Sequence, residues 1–136
     1  MFASNTFKFV ALIFVLSIVF LAGCLSDDDN QVSSYNSELE TLTQLKNDIE
    51  TIAESSVCNE TSTCKIIAFG SKPCGGPWSY LVYSTSINIQ DFETKVEQYN
   101  QLESIFNAKW GVVSDCAVIL QPKDVTCQNN VCVPVY

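Results

Sequence analysis

The sequence predicts an α+β fold in which two helices pack on a small antiparallel sheet and disulfide bonds stabilise the domain. Two stretches carry apolar residues at helical spacing, and short runs rich in β-branched and aromatic residues lie between and after them. Six cysteines are spread through the same part of the chain. The order of helix, two strands, helix and three strands is typical of segregated helices and strands, and residues 35–136 have the length of one domain.

The first helix is predicted from Tyr35 onward. Apolar residues recur there at spacings of three and four and form one stripe: Tyr35, Leu39, Leu42, Leu45, Ile49 and Ile52. Ser37 and Glu40 have the spacing of a capping box at the start of this helix. Such a stripe indicates a helix that faces a core, because a coiled coil needs more heptads.

The remaining elements follow from composition and turn residues. Residues 64–69 and 78–84 are predicted strands, and helical spacing of apolar residues predicts a second helix from Ile89 to Trp110 that Gly111 ends. Residues 116–120, with the sequence CAVIL, are a predicted third strand. Asn129 and Asn130 tolerate the positive φ that a tight hairpin needs, so residues 125–127 and 132–133 are its predicted strands.

Four residues near the N-terminus, Leu21-Ala22-Gly23-Cys24, close an apolar run that starts at Phe9. That run spans only about 22 Å as a helix, which is too short to cross a bilayer and fits a signal peptide. The four residues resemble the lipobox of bacterial lipoproteins. The resemblance implies that residues 1–23 are a removed signal peptide and that Cys24 carries lipid such as palmitate. The alternatives are an ordinary signal peptide followed by a free thiol, and an uncleaved anchor helix.

Residues 24–34 are predicted to be a lipidated acidic tether, since this polar stretch has too little apolar surface to order itself. Its acidic run is interpreted first as a solvated spacer. Ser26 and the three aspartates after it also resemble short signals that send bacterial lipoproteins to the cell surface. Leu25, rather than aspartate, directly follows the cysteine, and this resembles lipoproteins that are sorted to the outer membrane rather than kept in the inner membrane. In a cell with two membranes, these resemblances imply the outer membrane and exposure at the cell surface.

The cysteine count agrees with an exported, lipidated protein. The chain has seven cysteines, and setting Cys24 aside leaves an even number for three disulfides. These six are Cys58, Cys64, Cys74, Cys116, Cys127 and Cys132. The chain has no histidine and no C-x-x-C spacing, which disfavours a zinc site.

Two sets of pairings stay open. The first set has local bridges, Cys58–Cys64 and Cys127–Cys132, together with Cys74–Cys116. The second sends Cys58 and Cys64 to the C-terminal hairpin and keeps Cys74–Cys116. Sequence alone cannot choose among the roughly 15 pairings of six cysteines. Only Cys74–Cys116 is therefore a favoured pairing.

Composition excludes several classes of function. After Cys24, six lysines stand against fifteen acidic residues and there is no arginine, which gives a net charge of −9. This balance argues against nucleic-acid binding and against electrostatic attachment to anionic lipid, so that the predicted membrane attachment runs through acyl chains. Without histidine there is no Ser-His or Cys-His pair. Glu93, Glu97 and Glu103 are typical of a solvated helix face, and no cofactor motif is present.

The densest local signal is the segment 72–80, with the sequence KPCGGPWSY. One interpretation is a structural turn whose aromatic side chains enter the core. The other is a preorganised recognition loop, because a pinned loop loses little entropy on binding and Trp and Tyr are favoured anchors. Its candidate binding residues are Lys72, Gly75, Gly76, Pro77, Trp78 and Tyr80. Residues 64–132 also resemble small uncharacterised exported bacterial domains with a C-G-G-P turn, a resemblance that implies no activity.

Taken together, these features predict a lipid-anchored extracytoplasmic binding module without catalytic residues, metal or cofactor. Its expected partner is a protein or envelope component, and inhibition of a secreted hydrolase is one form this binding would take. The alternatives are a structural envelope lipoprotein without a discrete ligand and, less favoured, a hydrolase that uses carboxylates. Exposure of Trp78 would favour binding, whereas two carboxylates facing each other in a cleft would favour the hydrolase.

Overall fold

The computed structural model describes residues 27–136, with side chains from residue 30 onward. The predicted signal peptide, residues 1–23, and the predicted lipidation site at Cys24 lie outside the described residues. The α+β class is confirmed, with two helices and two two-stranded antiparallel sheets in the described part of the chain. The elements are α1 (Asp27–Ser55), β1 (Cys64–Phe69), β2 (Ser79–Ser84), α2 (Ile89–Trp110), β3 (Asp124–Gln128) and β4 (Val131–Val135).

Helix α1 includes residues 27–34, ahead of the predicted helix start at Tyr35, so this part of the predicted tether is helical. The predicted capping box is wrong, because Ser37 lies inside the helix and its carbonyl oxygen accepts a hydrogen bond from Thr41 Oγ1 at 2.9 Å. The predicted apolar stripe reaches the core only from Leu42 onward.

Helix α2 has the predicted bounds and both of its ends are capped. The Asn88 side chain accepts a hydrogen bond from the Asp91 amide at 3.3 Å at the N-terminus. Gly111 ends the helix with a φ of 63°, and its amide donates to the carbonyl of Asn107. The left-handed backbone there explains why the helix ends at a glycine.

The strands form two hairpins instead of the single sheet that the sequence predicts. In the first, β1 has the predicted bounds and pairs with β2, with Phe69 opposite Ser79. In the second, β3 pairs with β4 around Asn129 and Asn130, whose φ angles are 51° and 65° as the turn requires. The predicted third strand at residues 116–120 is wrong, because this stretch pairs with no strand in the described part of the chain. Its apolar, β-branched composition favours a strand, but composition alone supplies no pairing partner.

The core combines Leu42, Ile49 and Ala53 of α1 with buried residues of α2 and of one face of the first hairpin. The rings of Phe69 and Tyr99 stack at 4.8 Å between centroids, and those of Tyr83 and Phe92 lie 4.6 Å apart. Because strand side chains alternate, Cys64 points to the opposite face, where it bonds to Cys132 of β4. The first hairpin is therefore enclosed by α2 on one side and by the second hairpin on the other.

Three disulfides join the C-terminal part to the first hairpin and the loops at its two ends. The bridges are Cys58–Cys127, Cys64–Cys132 and Cys74–Cys116, with Cα separations of 5.9, 5.6 and 5.5 Å. Cys74–Cys116 is confirmed, and the other two belong to the second of the open sets. Cys127 and Cys132 do lie directly opposite each other, as the hairpin predicts, yet each bonds to a cysteine outside the hairpin. The first set is therefore wrong, because the two hairpins pack together and offer partners across that contact.

Candidate recognition loop

The connector between β1 and β2, residues 70–78, is a tight turn fixed by its own backbone. The amide of Lys72 donates to Gly76 and the amide of Gly75 donates back to Lys72, at 2.8 and 2.9 Å. Where the connector closes, the amide of Trp78 donates to Phe69 at 3.0 Å. Gly75 has a φ of 91°, a conformation that glycine adopts without steric strain. The connector is therefore one defined turn.

Helix α2 holds the start of this connector with three polar side chains on one face. Asn100 Oδ1 accepts from the Gly70 amide at 2.7 Å, and Glu103 Oε2 accepts from the Ser71 amide at 2.5 Å. One turn on, Asn107 Nδ2 donates to the Ser71 carbonyl at 2.7 Å. Spacings of three and four place these side chains on a common face, beside the buried apolar stripe. This spacing is a sequence signal that Glu103 binds the loop backbone. The sequence alone placed Glu103 on a solvated helix face instead.

Lys72 does not project from the loop as a contact residue, because it is only 6% exposed. Its ammonium donates to the Ala117 carbonyl at 2.6 Å and lies 3.6 Å from Asp115 Oδ1. It also lies 5.1 Å from the centroid of the Trp78 ring, within the range of a cation–π contact. Together with Cys74–Cys116, this lysine fastens the loop to the segment that follows α2.

Trp78 is the part of the connector best placed to meet a ligand. It is 38% exposed, so the indole is neither a core side chain nor a free one. It lines an open cleft of about 280 Å³ together with Phe69, Tyr99, Glu103 and Lys46 of α1. Gly70 makes room for this arrangement, since a Cβ at position 70 would lie 2.6 Å from Trp78 Cδ1. The indole therefore packs closely against the backbone at Gly70 and leaves part of its surface exposed in the cleft.

The other predicted binding residues are divided between two surfaces. Gly75 and Gly76 are exposed at the tip of the turn, and Pro77 is half-buried. Tyr80 is half-buried on β2 and lines a different cleft of about 280 Å³, with Ala53 and Glu54 of α1. Of the six candidate residues, the structure therefore groups Gly75, Gly76, Pro77 and Trp78 as the accessible part of the loop. We call these four residues the exposed loop.

The glutamates of α2 are used in hydrogen bonds within the protein. Glu93 Oε1 accepts from the Tyr83 hydroxyl at 2.5 Å and from Lys65 Nζ at 3.1 Å. These two donors, Tyr83 first, lower the pKa of the Glu93 carboxyl. Burial raises the pKa of Tyr83 above its usual value, and the bond to Glu93 adds to that shift.

Glu103 serves a second buried tyrosine. Its Oε1 accepts from the Tyr99 hydroxyl at 2.9 Å while Oε2 holds the Ser71 amide. Burial raises the pKa of Tyr99, and the negative charge of Glu103 raises it further. Because both oxygens of Glu103 are engaged, this carboxylate acts here as a structural acceptor.

Two of the disulfides form a compact group of sulfur atoms. The Sγ atoms of Cys58, Cys64 and Cys132 all lie within 4.8 Å of one another. Each of them is bonded to another sulfur, so none offers the thiolate that a metal ion would bind. The group therefore fastens the second hairpin to the first, and three such bridges are consistent with an extracytoplasmic location.

Comparison with known proteins finds no family model, no curated protein and no solved structure that matches this chain. Between residues 27 and 136, neither helix combines the length and apolar character needed to cross a bilayer.

Proposed function

We propose that this chain is a lipid-anchored extracytoplasmic binding module, attached to its membrane through Cys24 and recognising a protein or envelope component through the exposed loop. The observation that carries the proposal is the pinned, partly exposed Trp78. Its turn is closed by backbone hydrogen bonds, held by α2 and fastened by Cys74–Cys116. A loop that is already fixed loses little conformational entropy on binding.

The chemistry of the cleft beside Trp78 favours a ligand with a mixed surface. The aromatic anchor Trp78 lines the same cleft as Lys46, together with aromatic side chains and the carboxylate of Glu103. Tryptophan beside polar groups is typical of the residues that contribute most to protein–protein binding. An open cleft fits a side chain or loop of a protein partner, and inhibition of a secreted hydrolase would be one use of such contact.

The alternative of a carboxylate hydrolase is less well supported. The carboxylate of Glu93 accepts hydrogen bonds from Tyr83 and Lys65. The carboxylate of Glu103 accepts from Tyr99 and from the Ser71 amide. A glycosidase needs one carboxylic acid and one carboxylate facing a common substrate. Hydrogen bonds that hold each glutamate to the fold favour a structural use of both.

The anchor is tested by intact-mass measurement of the protein made in a lipoprotein-processing bacterium. The wild-type chain is expected to begin at Cys24 and to carry acyl mass, and Cys24→Ser is expected to lose both the acyl mass and this cleavage. Membrane fractionation of the two proteins gives the second readout. A wild-type chain that starts at Cys24 without acyl mass would disprove the anchor and leave the binding loop to be judged separately.

The loop is tested with Trp78→Ala and a matched control, Val113→Ala, which also truncates an exposed apolar residue. Each protein is immobilised through its C-terminus and exposed to detergent-solubilised envelope from the cells that make it. Wild type and Val113→Ala are expected to retain the same component, and Trp78→Ala is expected to lose it. Retention by all three proteins, or by none, would contradict recognition through Trp78.

A further inference from the structure

The three disulfides differ in how far their residues are exposed to solvent. Both residues of the Cys74–Cys116 bridge are exposed. Each of the other two bridges has one buried residue, namely Cys58 at 0% exposed and Cys132 at 7% exposed. Thiol–disulfide exchange requires a thiolate to reach a sulfur atom, so access to solvent limits its rate. Cys74–Cys116 is therefore the bridge that a thiol in solution reaches from both sides.

The leaving group favours the same bridge. When a thiolate attacks one sulfur of a disulfide, the other sulfur leaves as a thiolate. Attack on Cys127 would expel the buried Cys58, and attack on Cys64 would expel the buried Cys132. Burial disfavours the charged form of a thiol, which makes it a poor leaving group. At Cys74–Cys116 the leaving thiolate is exposed to water whichever sulfur is attacked.

Opening of Cys74–Cys116 also leaves the packing of the protein in place. Residues 115–121 are all exposed, so their release uncovers no buried apolar side chain. The other two bridges lie where the two hairpins pack together, and there the Cys58 amide also donates to the Asn130 carbonyl at 3.1 Å. These bridges open only when the hairpins separate, which costs more free energy than release of an exposed segment.

We propose that Cys74–Cys116 is a thiol–disulfide exchange site whose co-reactant is a dithiol reductant. One thiolate of the dithiol attacks a sulfur of the bridge, forms a mixed disulfide and expels the other cysteine as a thiolate, which takes up a proton. The second thiol of the dithiol then breaks the mixed disulfide. The dithiol is thereby oxidised to a disulfide, and Cys74 and Cys116 are reduced to two thiols by the same two electrons.

Exchange at this site controls the cover of Lys72. The Lys72 ammonium donates to the Ala117 carbonyl at 2.6 Å and lies 3.6 Å from Asp115 Oδ1, and these two residues flank Cys116. With the bridge open, only these contacts hold residues 115–117 against the loop. The backbone bonds of the turn and its bonds to α2 do not involve the bridge, so the turn itself stays closed. An effect on binding at Trp78 rests on the proposed function, whereas the exchange site does not.

The exchange site is tested on the full oxidised chain with dithiothreitol, a small dithiol. Brief treatment is stopped with iodoacetamide, and the labelled cysteines are located by peptide mass spectrometry. Cys74 and Cys116 are expected to be labelled first, at an initial rate at least about tenfold above that of the other four bridged cysteines. Cys127 is the internal control, because it is exposed but bonded to the buried Cys58. Equal rates, or earlier labelling of Cys127, would overturn the assignment.

The control over Lys72 is tested by acetylation of lysines in the double variant Cys74→Ser/Cys116→Ser, in which the bridge is permanently open. Lys72 is 6% exposed in the closed protein, so its acetylation is expected to become at least about tenfold faster in the variant. Lys65 is the control, because its side chain is 45% exposed with the bridge closed and it lies on β1. Its rate is expected to stay unchanged.

The same measurement on wild type after brief reduction and alkylation guards against a variant that does not fold. An unchanged rate at Lys72 in both open forms would disprove the control that the bridge exerts. A parallel rise at Lys65 would show general unfolding and would make Cys74–Cys116 a structural bridge. Neither measurement uses a ligand, so failure here is distinguishable from failure of recognition through Trp78.

Discussion

Two parts of this domain are held together by different means. Residues 37–111 contain a hydrophobic core in which Phe69, Tyr83, Phe92 and Tyr99 are buried in ring contacts. Residues 112–136 bury only Pro122 and Cys132. All three disulfides cross from this second part to the first. The comparison shows that disulfide bonds can keep a segment attached to the fold even when that segment buries too little apolar surface to stay attached by packing alone.

Reduction of the three disulfides is expected to have the largest effect on stability. The effect should be greater on residues 112–136 than on residues 37–111. Each bridge contributes about 2–4 kcal/mol, so the three together rival the whole stability of a small domain. Reduction should therefore lower the melting temperature markedly and should first release residues 112–136. Hydrogen exchange followed by mass spectrometry, with and without reductant, measures both parts at once. Simultaneous loss of protection in residues 37–111 would show that the two parts form one cooperative unit.

Truncation in the hydrophobic part is expected to have the next largest effect. Phe92→Ala should cost about 3–5 kcal/mol through lost burial and an unfilled cavity, which lowers the melting temperature by on the order of 10 °C or more. The control is Val113→Ala in the other part, where the side chain is 88% exposed and the expected change is within about 0.5 kcal/mol. Thermal denaturation of both variants checks the difference. Similar losses in the two variants would remove the basis of the comparison.

The connector allows a finer test with two glycines of similar backbone conformation. Gly70 and Gly75 have φ angles of 82° and 91°, so alanine at either position costs about 1–2 kcal/mol in strain. Only at Gly70 would the added Cβ meet the Trp78 side chain, whereas nothing lies within 4 Å at Gly75. Gly70→Ala should therefore be the more destabilising and should shift the tryptophan emission, as urea unfolding with fluorescence detection would show. Equal losses would mean that Trp78 moves aside without cost.

The smallest expected effect is a pH dependence at Glu93. Because its pKa is lowered in the folded state, the unfolded chain binds a proton first as the pH falls. The stabilising contribution is therefore present above the ordinary glutamate pKa of about 4.3 and is lost as the pH drops through the folded value. Since the carboxylate is partly exposed, the contribution is below about 1 kcal/mol.

Melting temperatures between neutral and acidic pH, measured for wild type and Glu93→Gln, check this contribution. The variant should show a weaker pH dependence. Glu97→Gln is the control, because Glu97 lies on the same helix and accepts only from Gln101 among the described contacts. If Glu93→Gln follows the wild-type curve at every pH, the bonds to Tyr83 and Lys65 do not favour the charged carboxylate.

Local signals predicted the elements whose causes are local. The apolar stripe and Gly111 predicted α2, and the Asn129-Asn130 turn predicted the second hairpin, because spacing and positive φ are properties of neighbouring residues. The strand predicted at residues 116–120 failed because strand formation needs a partner from elsewhere in the fold. For the same reason spacing could not choose between the disulfide sets, since Cys58 and Cys64 find their partners across the packing of two hairpins.

The candidate site was predictable in part. The exposed loop followed from its prolines, glycines and aromatic residues. The burial of Lys72 did not, because it depends on Ala117 and Asp115, which are distant in sequence. The role of Glu103 could not be predicted, because a polar residue on the flank of a helix contacts either solvent or the backbone of a loop. The sequence of the helix looks the same in both cases.

The connectivity of the bridges has a consequence for biosynthesis. Cys58–Cys127 and Cys64–Cys132 interleave along the chain, and Cys74–Cys116 is nested inside both. The proposed export delivers the N-terminus first, so that Cys58 and Cys64 would reach the oxidising compartment before their partners, and an oxidase acting at that stage would join them to each other. Reaching the folded protein then requires thiol–disulfide exchange, with a protein thiolate attacking the wrong bridge. Maturation is therefore expected to depend on a disulfide isomerase, and cells without one should accumulate chains bridged between Cys58 and Cys64.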